Sequence, residues 1–373
     1  MAKLRLIIAD NDKAYVESVS NYIINNYSHR FQINSFTEEQ YFLDYISKNN
    51  INIDILLICP QWYTDLIPKE KICISMILSE GIFNDEVIDC EVINKYQRGD
   101  KLVSNIINSF VEKNPNKYYI EHNSKRSKVI AVYSPIGGMG KTSIAIGSCL
   151  KSAQEGRSVF YLNLENIQST PRFFDCESSQ NLSNILYYIK EKKKNITLKI
   201  EGIRCKDSQY NIHYFTPPDS CIDLNETSIN EIQYLINELK TTNDYDDIFI
   251  DTTSILDEKN KSVLMLSDQV ILLVGQDDLS MTKLNLFVRE LDILSKRNDL
   301  DLSNKITIVL NKYIKGKAQQ IKELNLWGKS IDVKVPDVYE PIYIYENSFR
   351  KGMKREFKNA ISEILTRIYE NTI

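Results

Sequence analysis

Metal-site and disulfide chemistry find little material in this sequence. Its 373 residues include three histidines, His29, His122 and His213, too scattered to suggest a metal cluster, and no Ser/His/Asp set can be argued. The seven cysteines are an odd number and contain no Cys-x-x-Cys pair. That argues against an evenly paired disulfide framework and a zinc ribbon, and leaves reduced thiols, as in cytoplasm, as the expectation. No apolar run reaches the ~20 residues that a membrane-spanning helix requires. The N-terminus runs straight into a strand-like stretch, Leu6 to Ala9, so neither export nor membrane insertion is expected. Neither sign of charge predominates: 46 basic and 50 acidic residues leave a net charge of -4, which argues against a broad nucleic-acid footprint and leaves only a local patch open. Internal repeats and low-complexity tracts are absent as well.

What is present is a core. Hydrophobic residues make up 43% and charged residues 26%, the balance of a globular chain. The length exceeds one ordinary domain of roughly 100 to 200 residues, which favours two. Short apolar runs alternate with helical spacing: Leu4 to Ala9 as strand, Ala14 to Tyr27 as helix, Gln32 to Phe36 as strand, Glu38 to Lys48 as helix and Asp54 to Cys59 as a buried strand. Further runs at Ile72 to Leu78 and Glu86 to Ile93 lead to a helix over Asp100 to Glu112. Such alternation implies an α/β fold, a parallel sheet with helices on both faces. A polar stretch, 113–127, separates this first domain (1–112) from a second (128–373). There the alternation resumes with strands Val129 to Tyr133, Ser158 to Leu164, Asp247 to Asp251, Gln269 to Val274 and Lys305 to Asn311.

The most informative segment is Val129-Ile130-Ala131-Val132-Tyr133-Ser134-Pro135-Ile136-Gly137-Gly138-Met139-Gly140-Lys141-Thr142-Ser143, an apolar strand, a Gly-rich turn and the start of a helix. Glycines let successive backbone N–H groups approach phosphate oxygens, and the helix N-terminus adds its dipole. Lys141 can neutralise β- and γ-phosphate charge, and the Thr142 hydroxyl can coordinate Mg²⁺. The stretch Ile136 to Ser143 is therefore a candidate ATP-binding loop.

This loop resembles the deviant phosphate loop of the MinD/ParA ATPases, Lys-Gly-Gly-x-Gly-Lys-Thr, and the likeness extends from about Lys128 to the C-terminus. In that family the first lysine reaches the phosphates of a partner in an ATP-sandwich homodimer. Ile136 occupies its place here, so the resemblance implies ATP with Mg²⁺ and slow hydrolysis. Other landmarks follow in order. Asn163 and Glu165 stand where relatives carry two carboxylates, and by resemblance Glu165 positions the attacking water. Asp251 ends a strand as the second Mg²⁺ motif does. Asn311 would hydrogen-bond the adenine ring, and Pro336-Asp337 would lie beside it.

The first domain resembles a response-regulator receiver, which phosphorylates an Asp after its third strand beside an acid pair that binds Mg²⁺. Cys59 stands in the acceptor place, Asp10 keeps one acid and Asn11 replaces its neighbour. Ser79 and Lys95 fall where the switch hydroxyl and lysine would sit. A thiol is not a phosphoryl acceptor of this kind, so the expectation is a degenerate receiver used for docking.

A degenerate receiver followed by a MinD-like ATPase is similar to the TadZ/CpaE type of Tad (Flp) pilus assembly ATPases. That resemblance implies a cytoplasmic homodimer, peripheral to the membrane through a secretion complex, that docks pilus machinery proteins on its receiver. Two other readings stay open: a DNA-partition or division-positioning ATPase of ParA/MinD kind, and a non-catalytic ATP-gated docking module. The C-terminal stretch Phe349 to Tyr369 has one apolar helical face, suited to docking on its own sheet, with membrane contact as the alternative. The run Lys190-Glu191-Lys192-Lys193-Lys194 reads as a solvated helix end.

Overall fold

The computed structural model describes residues 3–48, 52–81, 90–114, 127–176, 178, 180–242, 244–297, 300–316, 329–344 and 351–370. Most of the expected linker, 115–126, and the residues 349–350 lie outside this set. The chain divides into two compact units, one of Met1–Glu121 with Lys193–Gly202, the other of His122–Lys192 with Ile203–Ile373.

The first unit carries a five-stranded sheet of β1 (Leu4–Ala9), β2 (Phe31–Phe36), β3 (Ile53–Ile58), β4 (Ile72–Ser79) and β5 (Glu91–Asn94), in the order β2-β1-β3-β4-β5 with every pairing parallel. Side chains alternate across such a sheet. Ile7, Ala9, Leu56 and Ile58 pack with Phe42 and Ile46 of α2 (Glu39–Lys48), whereas α1 (Lys13–Tyr27) and α3 (Gly99–Lys113) contact each other and bury Val16, Ile23, Ile106 and Phe110. Between β3 and β4 the chain makes two single 3-10 turns, and Trp62 and Ile67 supply the apolar cover that a helix would give.

The second unit is an eight-stranded sheet. Its elements, in chain order, are β6 (Lys128–Tyr133), α4 (Lys141–Gln154), β7 (Val159–Asn163), α5 (Thr170–Phe173), α6 (Leu182–Lys190), then, after the helix α7 (Ile196–Ile203), which groups with the first unit up to Gly202, β8 (Cys205–Lys206), β9 (Ile212–Tyr214), α8 (Cys221–Glu226), α9 (Ile229–Thr241), β10 (Asp247–Asp251), α10 (Glu258–Leu266), β11 (Gln269–Val274), α11 (Asp278–Lys296), β12 (Ile306–Tyr313) and β13 (Val333–Pro336). A hairpin of β14 (Ile342–Ile344) and β15 (Lys351–Met353) and the helix α12 (Arg355–Glu370) complete it. Strand order is β13-β12-β11-β6-β10-β7-β9-β8, parallel except for β8 against β9. The loop-bearing strand β6 lies centrally between β10 and β11, so the turn that follows it opens at the carboxyl end of the sheet, where open α/β sheets bind ligands.

Three expectations need correction. The C-terminal helix begins at Arg355, because 351–353 form a strand; its apolar face of Phe357, Ile361, Ile364, Leu365 and Ile368 is buried against α4 and β13. The stripe is thus spent on the protein's own core, and a side chain at Gly147 of α4 would place its Cβ 2.7 Å from the Phe357 ring. Cys176 and Cys205 form a disulfide, with Cα atoms 6.2 Å apart, where reduced thiols were expected. Finally, residues 193–202, assigned by the sequence to the second domain, group with the first unit. The reason is charge burial: Glu201 is matched by the buried Arg30 guanidinium, Nε to Oε2 2.9 Å, and Lys199 by Glu112 at 3.1 Å, while Asn108 donates to the Gly202 carbonyl at 2.7 Å.

Candidate functional site

In the second unit the turn after β6 is built around two backbone requirements. Gly138 and Gly140 have φ of 71° and 83°, the left-handed region that L side chains resist, and Gly140 caps α4. A Cβ at Gly140 would also come 2.6 Å from Asn311 Nδ2. Asn311 is buried and its amide donates to the Met139 carbonyl at 2.7 Å, while Lys312 donates to the Gly138 carbonyl at 2.9 Å. Asn311 therefore braces the turn. Ile136 and Met139 bury their side chains in the core, and Gly137 and Gly138 are exposed. Thr142 and Ser143 occupy the first turn of α4, half-buried.

Around this turn the polar side chains converge. Lys141 is buried and donates to Ser254 Oγ at 2.8 Å; Ser254 in turn donates to the Ile136 carbonyl at 3.2 Å. Thr142 Oγ1 donates to Glu165 Oε2 at 3.3 Å. Burial raises the Glu165 carboxyl above its usual range, against the lowering pull of Lys141 and of the Thr142 hydroxyl. Asp251 is wholly buried; desolvation, with the Glu165 charge adding to it, pushes its pKa up to about 7. Its Oδ2 accepts from the Tyr161 hydroxyl at 3.0 Å, and its Oδ1 is buried with no hydrogen-bond partner. Buried carboxylate oxygens are expensive to leave unpaired. An Mg²⁺ ion would relieve that cost, since it takes oxygen ligands and tolerates several waters, and Asp251 and Thr142 are the residues that would hold it. The donor set fits the ion. Pro336 ends β13, paired with Tyr313 of β12, and Asp337 is exposed just beyond it. Both lie beside Tyr313, the last residue of the strand that carries Asn311, and the Tyr313 carbonyl accepts from the Asp337 N–H at 3.1 Å.

Ser254, Tyr161 and Lys312 were not picked out by the sequence reading. Ser254 follows Asp251 by three positions and carries no motif of its own, and Tyr161 looks like one more apolar strand residue until its hydroxyl is placed.

The first unit has its own acid-rich cleft, lined by Asp10, Asn11, Cys59, Ser79, Glu80 and Lys95. Its centre is an ammonium. Lys95, almost fully buried, lies 3.0 Å from Asp10, 3.1 Å from Glu80 and 3.5 Å from Asp12, and over the ring of Tyr15 at 4.8 Å. Burial alone would lower its pKa, but the hydrogen bonds to Asp10 and Glu80 outweigh that and raise it. Ser79 is turned to the Gly81 carbonyl at 2.6 Å, and Asn11 is exposed. Cys59 is buried at the end of β3, its thiol pKa raised by desolvation. The cluster thus gathers all five expected residues, but two of the partners that decide its charge, Asp12 and Glu80, were missed.

Comparison with known proteins agrees with both halves. Residues 2–111 match the family described as TadZ-like, receiver domain, and residues 127–307 match an AAA domain family. Among solved structures, the chain resembles a plasmid partition protein from Borrelia burgdorferi B31 bound to AMPPNP, at 19% identity and TM-score 0.52, covering 67% of this chain and 100% of that one. It also resembles a ParA family ATPase from Chlorobium tepidum TLS, at 16% identity and TM-score 0.52, covering 64% and 97%. No curated protein matches the chain. With the loop between a central strand and its helix, the second unit has the P-loop NTPase fold of the MinD/ParA ATPases. The chain thus joins a domain that matches the TadZ-like receiver family to a domain of that ATPase fold.

Proposed function

We propose that the second unit binds ATP with Mg²⁺ and hydrolyses it slowly, and that the bound nucleotide favours a homodimer which positions or assembles the Tad/Flp pilus secretion machinery from the cytoplasm. The observation that carries the reading is the convergence of Lys141, Thr142, Glu165 and the unpaired Asp251 Oδ1 on one glycine-bounded turn. In this reading Lys141 and the backbone N–H groups of Ile136 to Ser143 hold the phosphates. Thr142 and Asp251 face the ion, which would supply charge neutralisation at the phosphates, and Glu165 orients the attacking water. Pro336 and Asp337 border the base. Ile136 supplies only a carbonyl and a buried side chain where an ammonium would speed phosphoryl transfer, which supports slow turnover.

The first unit, in the same reading, docks machinery proteins and is not phosphorylated. Its lysine is committed to three carboxylates and its acceptor position is a thiol. The pairing with a TadZ-like receiver favours pilus machinery over plasmid DNA as cargo, and so does the near-neutral net charge. Among the described residues no helix is long and apolar enough to cross a membrane, which leaves membrane association to partners. Light scattering of the intact chain with and without ATP and Mg²⁺ tests the dimer: a doubled mass is expected, and an unchanged monomer at saturating nucleotide removes it. Affinity capture from the native cell tests the cargo, with secretion proteins expected and partition proteins contradicting.

A further inference from the structure

The residue at position 163 is an amide where the MinD/ParA resemblance leads one to expect a carboxylate, and its hydrogen bonds give a reason. Asn163 Oδ1 accepts the Glu165 backbone N–H at 2.8 Å. Only the oxygen end of the amide can meet that donor, so the NH₂ end is the one facing Tyr161 OH, at 3.1 Å, and Thr170 Oγ1, at 3.3 Å. An NH₂ group cannot accept a proton. The Tyr161 oxygen must therefore act as acceptor toward Asn163, and its own proton goes to Asp251 Oδ2 at 3.0 Å. Tyr161 and Asn163 are both buried, so no solvent competes for these bonds. With Oδ2 engaged in this way, Asp251 is left with Oδ1 as its single unpartnered oxygen.

We propose that Tyr161 and Asn163 form a positioning pair that fixes the Asp251 carboxylate and presents Oδ1 to the divalent cation. The proposal rests on the reading of Asp251 as a magnesium-facing residue and adds the device that aims it. It also accounts for the amide: an aspartate at 163 would take the phenol proton itself and turn Tyr161 away from Asp251. Partners of this kind behind a metal-facing group typically change metal affinity by about 10- to 100-fold when removed.

The test is a titration of the intact chain with a fluorescent ATP analogue, once with Mg²⁺ and once with EDTA, the ratio of the two affinities giving the magnesium-dependent gain. Tyr161→Phe and Asn163→Asp should each cut that gain by about 10-fold or more while leaving affinity in EDTA as in the parent. Thermal melting in EDTA identifies a variant that has simply lost its fold, in which case the other variant decides. A gain equal to the parent's in a folded variant overturns the proposal. So does an equal loss with and without the ion, which would make the pair a packing element. A parent chain that binds no nucleotide instead fails the underlying reading of the site and is distinguishable from either result.

Discussion

Each unit places one lysine among carboxylates at the carboxyl end of a parallel sheet, and the two lysines are held in opposite ways. Lys95 is gripped by three acids, Asp10, Asp12 and Glu80, within 3.5 Å. Lys141 is held by a neutral hydroxyl, Ser254 at 2.8 Å, with Glu165 close enough to feel its charge. The first ammonium is already neutralised, so an arriving phosphoryl group or metal would have to displace an ion pair that is largely out of water. The second can exchange a hydroxyl for phosphate oxygens and gain by it. In the first unit the cation is part of the protein; in the second a buried carboxylate oxygen of Asp251 has no hydrogen-bond partner. The same sheet architecture thus yields a closed site and a receptive one, and the difference lies in which partners surround one side chain.

The largest effect that would break this comparison is expected from Lys95→Met. Removing the ammonium leaves Asp10 buried without its counter-ion, a loss of about 3 kcal/mol or more, seen as a lower melting temperature of the intact chain. Added Mg²⁺ should then restore part of that stability in the variant and none in the parent; a variant as stable as the parent would show that the ion pair is unimportant.

Asp251→Asn comes next. The folded state raises the Asp251 pKa from 3.8 to about 7, so its neutral form is favoured by folding. The associated stability is present below the unfolded pKa and is lost as pH rises through the folded one. In EDTA the asparagine variant should therefore gain on the parent between about pH 4 and pH 7 and hold that advantage above. A constant difference in melting temperature across that window would contradict the assigned shift. Ser254→Ala should weaken ATP binding several-fold, in line with about 1 kcal/mol for one hydrogen bond, without lowering the melting temperature appreciably. Unchanged affinity would make the Lys141 contact incidental. The smallest effect is expected from Cys59→Asp. Restoring the acceptor carboxylate should give no phosphoryl incorporation from acetyl phosphate by intact mass, because Lys95 stays committed elsewhere; incorporation would show that the first site is open.

The sequence makes the framework of both sites legible and little of their electrostatics. Strands β10 and β11 run over the same residues in sequence and structure, because continuous apolar runs buried on both faces leave little freedom in their limits. The phosphate loop is legible because its glycines answer a local backbone demand at Gly138 and Gly140. Lys95 is different. Its neighbours come from positions 85, 83 and 15 residues away in the chain, and nothing local marks Glu80 or Asp12 as its partners. The hydrogen bond from Asn311 to the Met139 carbonyl joins positions far apart in the chain, and nothing local marks it either. The placement of 193–202 with the first unit escaped for the same reason: Glu201 and Lys199 look like solvated helix charges until Arg30 and Glu112 are brought to them.

Calorimetric titration of the intact chain with ATP in Mg²⁺, beside Lys141→Ala, shows whether one lysine site is receptive while the other is closed. One nucleotide per chain is expected in the parent and none in the variant. Binding retained by Lys141→Ala, or no binding by the parent, would contradict that difference.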